Sequence, residues 1–380
     1  MRVFICGDIV NSNRKYRIID EQLEKVIQSC DFAICNFEAP IYSDNQTPTN
    51  KAGASIFQCE DVLDVLGKSG FNIYSLANNH IFDYGEAGLI KTINEIESRG
   101  YTAIGAGRNM TEIYREHIVH ESGLSVAIIS AAENEFGCVG DKSDRPGYAW
   151  VLSHRFEDKI RELKRKVDKV IVISHAGLED VDFPMEIWRD KYKRFIDIGA
   201  DLIVGHHPHV PQGFEVYKNK KIFYSLGNFF FDYNRSNMVS DDSFSLVIEI
   251  TKNNEIDVDI VYHRSNGELT ELSSSDDVSF DMRKLNSLIT DGYLERVNEI
   301  CLEKYHQYYK NYYRKAMLLP KDNVKVIEWL KFYVKRFLFS DRMKFEADTM
   351  LLHNIQIDTH LYVVKKALTE RLNNAKKNKK

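Results

Sequence analysis

No stretch constrains this chain more than residues 201–228, which open Asp-Leu-Ile-Val-Gly-His-His-Pro-His-Val and close Phe-Tyr-Ser-Leu-Gly-Asn. The apolar run 202–204 reads as a buried strand that stops at Gly205, after which three histidines crowd around Pro208. The proline ring fixes one backbone angle and rules out a continuing helix, so His207 and His209 are expected on a stiff loop at a strand end. Neutral imidazole is the commonest nitrogen ligand for zinc, manganese or iron. A single loop histidine is more often a solvated or hydrogen-bonded side chain, so the rest of the chain has to decide between a ligand set and ordinary surface.

The remainder repeats the pattern. Apolar runs at 3–6, 32–36, 73–76, 101–104, 125–130 and 170–173 read as strands, and segments at 18–30, 61–68, 85–99, 156–167 and 185–198 carry apolar residues at helical spacing. Strand, helix, strand with short connections implies parallel crossover units. After the histidine loop, runs at 214–217, 221–225, 245–251 and 256–262 have hairpin spacing. The expected class is α/β, with mixed sheets flanked by helices.

Residues of metal-binding type follow these strands: Asp8, Glu38, Asn79 with His80, His175, and then His207 and His209. In an open α/β sheet the carboxyl ends of the strands share one edge, so residues distant in sequence converge there. One Gly-Asp at a strand end is often only a turn; a series at equivalent positions is hard to assign to chance. Carboxylate, amide oxygen and imidazole together suit manganese, iron or zinc, and Glu38 has two oxygens with which to bridge two ions. Such a centre would activate a water for attack on phosphorus or an acyl carbon, with His80 placed to protonate the leaving oxygen. Asp83 reads either as a cap on the turn into the next helix or as a carboxylate that orients His80.

Composition narrows the partners. With 380 residues, 28% charged and 43% hydrophobic, the chain is long enough for a large domain and a smaller one, and has the balance of a globular protein. A net charge of −5 gives no global attraction to nucleic acid, so anion binding must be local. Cys6, Cys30, Cys35, Cys59, Cys138 and Cys301 form no Cys-x-x-Cys pair and read as reduced, buried thiols. The sequence opens directly on a strand, which points to the cytoplasm.

The motifs Gly7-Asp8, Asn36-Phe37-Glu38, residues 76–80 with Asp83 and Gly85, Gly105 with Gly107, Ser174-His175 with Gly177, residues 205–209 and residues 224–228 resemble, in order, those of the CapA-type capsule and poly-gamma-glutamate synthesis family. That family lies in the calcineurin-like metallophosphatase superfamily, and the resemblance runs from about residue 2 to 232. It implies a layered α/β sandwich with one or two divalent ions. Asp8 and His209 would hold the first, Glu38 would bridge, Asn79, His175 and His207 would hold the second, and His80 would be the general acid. Two departures stand out: Val10 occupies the place of a usual histidine, and Glu38 that of a usual aspartate.

The domains expected are 1–265 for the metallophosphatase-like part, 266–282 as a polar linker and 283–380 as a helical, basic and aromatic extension broken at Pro320 and at Ser340-Asp341. In that extension Val326, Ile327, Leu330, Val334, Phe337 and Leu338 form a stripe beside Lys331, Lys335 and Arg336, and residues 376–380 are almost all lysine. The stripe reads either as packing for a helical subdomain or as a surface that meets anionic lipid or polymer. The function expected is metal-dependent hydrolysis of a phosphoester or glutamyl amide in making a bacterial surface polymer, with an anionic polymer or phosphorylated substrate as partner. The rival is a non-catalytic, metal-stabilised scaffold component of a membrane-associated synthesis complex.

Overall fold

The computed structural model describes residues 1–121, 123–233, 241–251, 256–322 and 325–377. Contacts divide the chain into two compact units, one of Met1–Thr49 with Ser55–Asp291 and one of Asn50–Ala54 with Gly292–Lys380.

In chain order the strands of the first unit begin with β1 (Arg2–Val10), β2 (Phe32–Phe37), β3 (Ile73–Ser75), β4 (Thr102–Ile104), β5 (Ala106–Gly107) and β6 (His117–Glu121). They continue with β7 (Leu124–Ala132), β8 (Cys138–Val139), β9 (Gly147–Ala149), β10 (Lys169–His175), β11 (Leu202–His206) and β12 (Phe214–Tyr217). The last are β13 (Lys220–Phe223), β14 (Asn228–Phe231), β15 (Asp241–Ile250), β16 (Ile256–Ser265) and β17 (Thr270–Leu272). One sheet has the order β17-β16-β15-β1-β2-β3-β4, with β14 also on β1; another has β12-β13-β11-β10-β7-β6; a short third joins β5, β9 and β8. In the larger sheet β1 to β4 pair in parallel as one half and β1, β15, β16 and β17 pair antiparallel as the other; in the second sheet parallel pairs lie at the centre and antiparallel ones at both margins, so both are mixed.

Strand periodicity builds the layers. Successive side chains point to opposite faces. Val3, Ile5 and Ile34 of one sheet therefore join Val126, Ile128, Ile171, Ile173 and Val204 of the other in a single buried cluster between the sheets. Their neighbours Phe4, Cys6, Ala33, Cys35 and Phe37 turn the other way, onto Leu23, Ile27, Leu63, Leu66, Leu89 and Ile93 of the helices Glu21–Gln28, Val62–Lys68 and Gly85–Ser98. The second sheet is backed by His154–Lys164 and Glu186–Ile198, whose Phe156 and Phe195 rings meet edge to face at 5.4 Å. All six cysteines are free thiols.

One irregularity sets the direction of Asp8. Cys6 registers with Cys35 but Asp8 registers with Asn36, so β1 spends two residues where β2 spends one. Gly7 is the extra residue of a β-bulge. Without it, alternation would put Asp8 on the helix side with Cys6; with it, Asp8 shares the inter-sheet face with Asn36. A Cβ at Gly7 would lie 1.8 Å from the Gly227 carbonyl oxygen, which is why the bulge is built on glycine.

The boundaries differ from expectation in three places. β7 runs to Ala132 because small residues, Ala131 and Ala132, continue a strand that the polar Ser130 had seemed to end. Residues 266–282 are not wholly linker: Thr270–Leu272 adds an edge strand, with the Thr270 hydroxyl donating to the Phe229 carbonyl. The third sheet, built from strands of two or three residues, has too little length for periodicity to reveal it.

The second unit is helical, with Tyr293–Lys304, a π-type turn at Tyr305–Tyr309, Lys310–Ala316, Val326–Leu338, Ser340–Gln356 and Asp358–Lys377. Its interior holds Val297, Cys301, Tyr309, Ala347, Val363 and Ala367. Breaks fall around Pro320 and immediately before Ser340. Of the lysine-rich end, 378–380 lie outside the described residues.

Candidate metal centre

The strand ends meet. The bulge delivers Asp8, Glu38 follows β2, Asn79 and His80 lie on the turn after β3, His175 is the last residue of β10, and His207 and His209 follow β11. The turn carrying Asn79 is pinned by its neighbour: the Asn78 side chain donates to the Phe37 carbonyl at 2.9 Å and accepts from the Ile81 amide at 2.8 Å. That clamp fixes the β3 turn against the end of β2.

The histidine loop is held in a strained shape. His207 and His209 have φ of 95° and 61°, a region that L-residues with a Cβ enter at a cost of roughly 1–2 kcal/mol each. Such backbone persists where the surroundings impose it. Here Gly177 packs so tightly on Pro208 that a Cβ on it would come within 2.6 Å of the ring, and its own amide donates to Glu133 at 3.0 Å.

Two groups of ligand atoms result. One atom each from Asp8, Glu38 and His175 lie within 4.8 Å of one another, and so do one each from Glu38, His207 and His209. Glu38 is common to both. Asn79 Oδ1 is 3.0 Å from His175 Nε2, which is also 3.0 Å from His207 Nδ1. His209 Nδ1 lies 3.3 Å from Asp8 Oδ2. The six expected ligands are therefore brought together, His209 beside Asp8 and His175 beside both Asn79 and His207.

Burial sets the charge state. Loss of solvation drives His207 down to about 4 and His175 well below the ordinary imidazole value, with neighbouring histidines adding to the effect. Burial alone would raise the Asp8 carboxyl, but the hydrogen bond from His209 and the histidines around it hold it well below the usual carboxylate range. At neutral pH Asp8 is thus ionised and His175 and His207 are neutral imidazoles, the protonation state that metal binding requires.

His80 belongs to neither group of ligand atoms. Its Nδ1 lies 2.7 Å from Asp83 Oδ2, and the same carboxylate oxygen accepts the Ile56 amide at 2.8 Å. Asp83 is fully enclosed while His80 keeps some exposure. Of the two readings of Asp83, the one that orients His80 is the one the geometry displays. A protonated His80 would add slightly to the downward push on His207.

Sequence reasoning missed Asn36, Glu133 and His206 as site members, and the side-chain contact that Asn228 makes there. Asn36 Nδ2 donates to Asp8 Oδ1 at 2.8 Å and sits 3.1 Å from His175 Nδ1. Asn228 Oδ1 lies 3.0 Å from His209 Nδ1. Glu133 Oε1 is 3.6 Å from His207 Nε2, and His206, pushed down to about 4 by burial, is 3.8 Å from Asp8. Glu133 follows the carboxyl end of β7 and would have been found by the strand-end rule had that strand been read to Ala132. Val10, in place of a histidine, is packed with Ala39 and Ile56 in an apolar cluster and offers no donor.

Comparison with known proteins gives a consistent picture. A family model described as bacterial capsule synthesis protein PGA_cap matches residues 2–233. The PGA biosynthesis protein CapA of Bacillus subtilis (strain 168) is 32% identical over 216 residues, covering 56% of this chain and 57% of that protein. The capsule biosynthesis protein CapA of Bacillus anthracis is 31% identical over 244 residues, covering 60% and 59%. The chain thus spans less than two thirds of the length of these relatives. A solved 5'-nucleotidase precursor from Thermus thermophilus aligns over 79% of this chain and 59% of its own, at 11% identity and a TM-score of 0.43, a likeness too loose to say anything of chemistry.

Proposed function

This chain belongs to the bacterial capsule synthesis protein family PGA_cap, and from that membership we propose that its first unit is a metal-dependent, hydrolase-like component in the making of a bacterial surface polymer. The observation that carries the reading is Glu38, a buried carboxylate common to two groups of ligand atoms from the strand ends. Such a donor set, with two carboxylates, an amide oxygen and three imidazoles, fits manganese, zinc or iron. Asp8, Glu38, Asn79, His175, His207 and His209 would hold one or two ions. A bound ion would supply Lewis acidity toward a phosphoryl or acyl oxygen.

The protein's own groups do the rest. Asp83 engages His80 Nδ1, which fixes the ring and leaves proton exchange to Nε2. His80 then serves as proton donor to a leaving oxygen or nitrogen. Asn36 and Asn228 hold Asp8 and His209 in place through side-chain contacts. The bond cleaved would be a phosphoester or a glutamyl amide, in an anionic polymer or a phosphorylated substrate.

A second reading, a metal-stabilised scaffold component without turnover, is favoured by the apolar packing of Val10 where a further donor would stand. A screen of phosphoesters and γ-glutamyl peptides with manganese- or zinc-loaded protein separates the two. Hydrolysis that falls by about 100-fold or more in His80→Ala, with metal retained, supports the enzyme. No turnover by the loaded wild type on any of them supports the scaffold.

A further inference from the structure

The helix Val326–Leu338 is turned inside out. None of its residues is buried, and Val326 and Phe337 are 77% and 85% exposed. At 100° per residue, Trp329, Tyr333, Val326, Phe337, Leu330 and Val334 fall in sequence around one side, all of them exposed. Phe332 lies on the other side and is the only partly covered residue of the helix. Lys331 and Lys335 border the apolar arc at one edge and Arg336 at the other. The surrounding sequence is basic as well: from Lys310 to Lys344 it holds ten Lys and Arg against three Asp and Glu, in a chain whose net charge is −5.

We propose that this helix is a membrane-surface element that lies flat in the interface of an anionic bilayer. The apolar arc enters the acyl boundary, Trp329 and Tyr333 sit at headgroup level, and the flanking cations meet lipid phosphates. At thirteen residues the helix is too short to cross a bilayer, and among the described residues no helix is long and apolar enough to do so. Charge complementarity selects the occupant. A second copy of the same face would bring Lys331, Lys335 and Arg336 against their own kind, and a hydrophilic polyanion would leave Val326, Leu330 and Phe337 in water. Behind the helix, Phe332, Lys335 and Phe339 line a cavity of about 860 Å³ with Lys315, Lys321 and Arg342. Glu346 also lines it and pairs with Arg342 at 3.1 Å and Lys315 at 3.8 Å, so the cavity is largely apolar with its charges partly matched.

Vesicle flotation of the full chain tests this, with vesicles of phosphatidylcholine and with a roughly 3:1 mixture of phosphatidylcholine and phosphatidylglycerol. The expected result is flotation with the mixed vesicles, weakened by salt, and a blue shift of Trp329 emission. Val334→Glu with Phe337→Glu should lower the bound fraction about tenfold or more, as should Lys331→Glu with Lys335→Glu and Arg336→Glu. These changes lie on exposed positions, and circular dichroism checks that each variant is folded. Three outcomes would overturn the proposal: no flotation with mixed vesicles, flotation unchanged in both variants, or a dimer in light scattering abolished by the apolar variant while vesicles are ignored. Retention by soluble polyglutamate but not by vesicles would likewise replace lipid with polymer. Variants of the metal cluster should float as the wild type does.

Discussion

Gly7→Ala is the substitution whose consequence can be drawn most directly from the geometry. The new Cβ would sit 1.8 Å from the Gly227 oxygen, against a limit of 3.0 Å that real Cβ atoms respect, so the two backbones must part by about 1.2 Å. Gly7 lies within β1 and Gly227 immediately precedes β14, which pairs with β1, and the obstructing atom is backbone, so rotamer change offers no relief. Overpacking of this kind costs about 1–3 kcal/mol, and the Asp8 amide bond to Gly227, 3.3 Å long, adds about 1 more when it breaks. The predicted loss is about 2–4 kcal/mol by urea denaturation. Metal should be lost with it, because Asp8 registers with Asn228 and a shift above an ångström far exceeds the ~0.2 Å tolerance of a coordination shell. Gly140→Ala is the control: nothing lies within 4 Å of the added methyl, so stability should stay within about 0.5 kcal/mol. A Gly7→Ala protein that matches wild type in both stability and metal content would refute the bulge as the device that aims Asp8.

Other outcomes rest on single contacts. Burial lowers His263 to about 3, below its unfolded value of about 6.5, so the unfolded chain binds the extra proton and stability falls as pH drops from 6.5 toward 3. His263→Gln, which can keep a bond to Ser245, should flatten the loss between about pH 5.5 and 4.5 by about 1.4 kcal/mol per pH unit; an unchanged slope in urea titrations would contradict this. Asp83→Asn removes the carboxylate that orients His80 while leaving the ligand cluster in place, so metal content should hold while turnover on any substrate found drops by about 10-fold or more. Equal loss of metal and turnover would place Asp83 in the coordination shell instead.

The strand ends that carry Asp8, Glu38, Asn79, His175, His207 and His209 were legible because each follows an apolar run long enough to show its period. What the sequence hid was set by pairing. Asn36 looks like an interior strand residue, and only the Gly7 bulge, visible in register alone, brings it opposite Asp8. Glu133 was lost because Ser130 interrupts the apolar run, although its hydroxyl is satisfied inside the sandwich by Ser75 at 2.7 Å. Asn228 enters through β14, a strand that pairs with β1 across more than two hundred residues, a contact that local pattern cannot encode. The apolar stripe of 326–338 was plain in the sequence; that it faces outward was not, since periodicity marks a stripe and not the side it turns to.

The central claim is that six strand-end residues form a metal centre with Glu38 in common. The most direct measurement is elemental analysis of metal per chain for the wild type and for His207→Ala with His209→Ala, purified side by side with manganese or zinc supplied. One or two equivalents in the wild type and a clear loss in the variant are predicted. No metal in the wild type, or the same content in both proteins, would contradict the account.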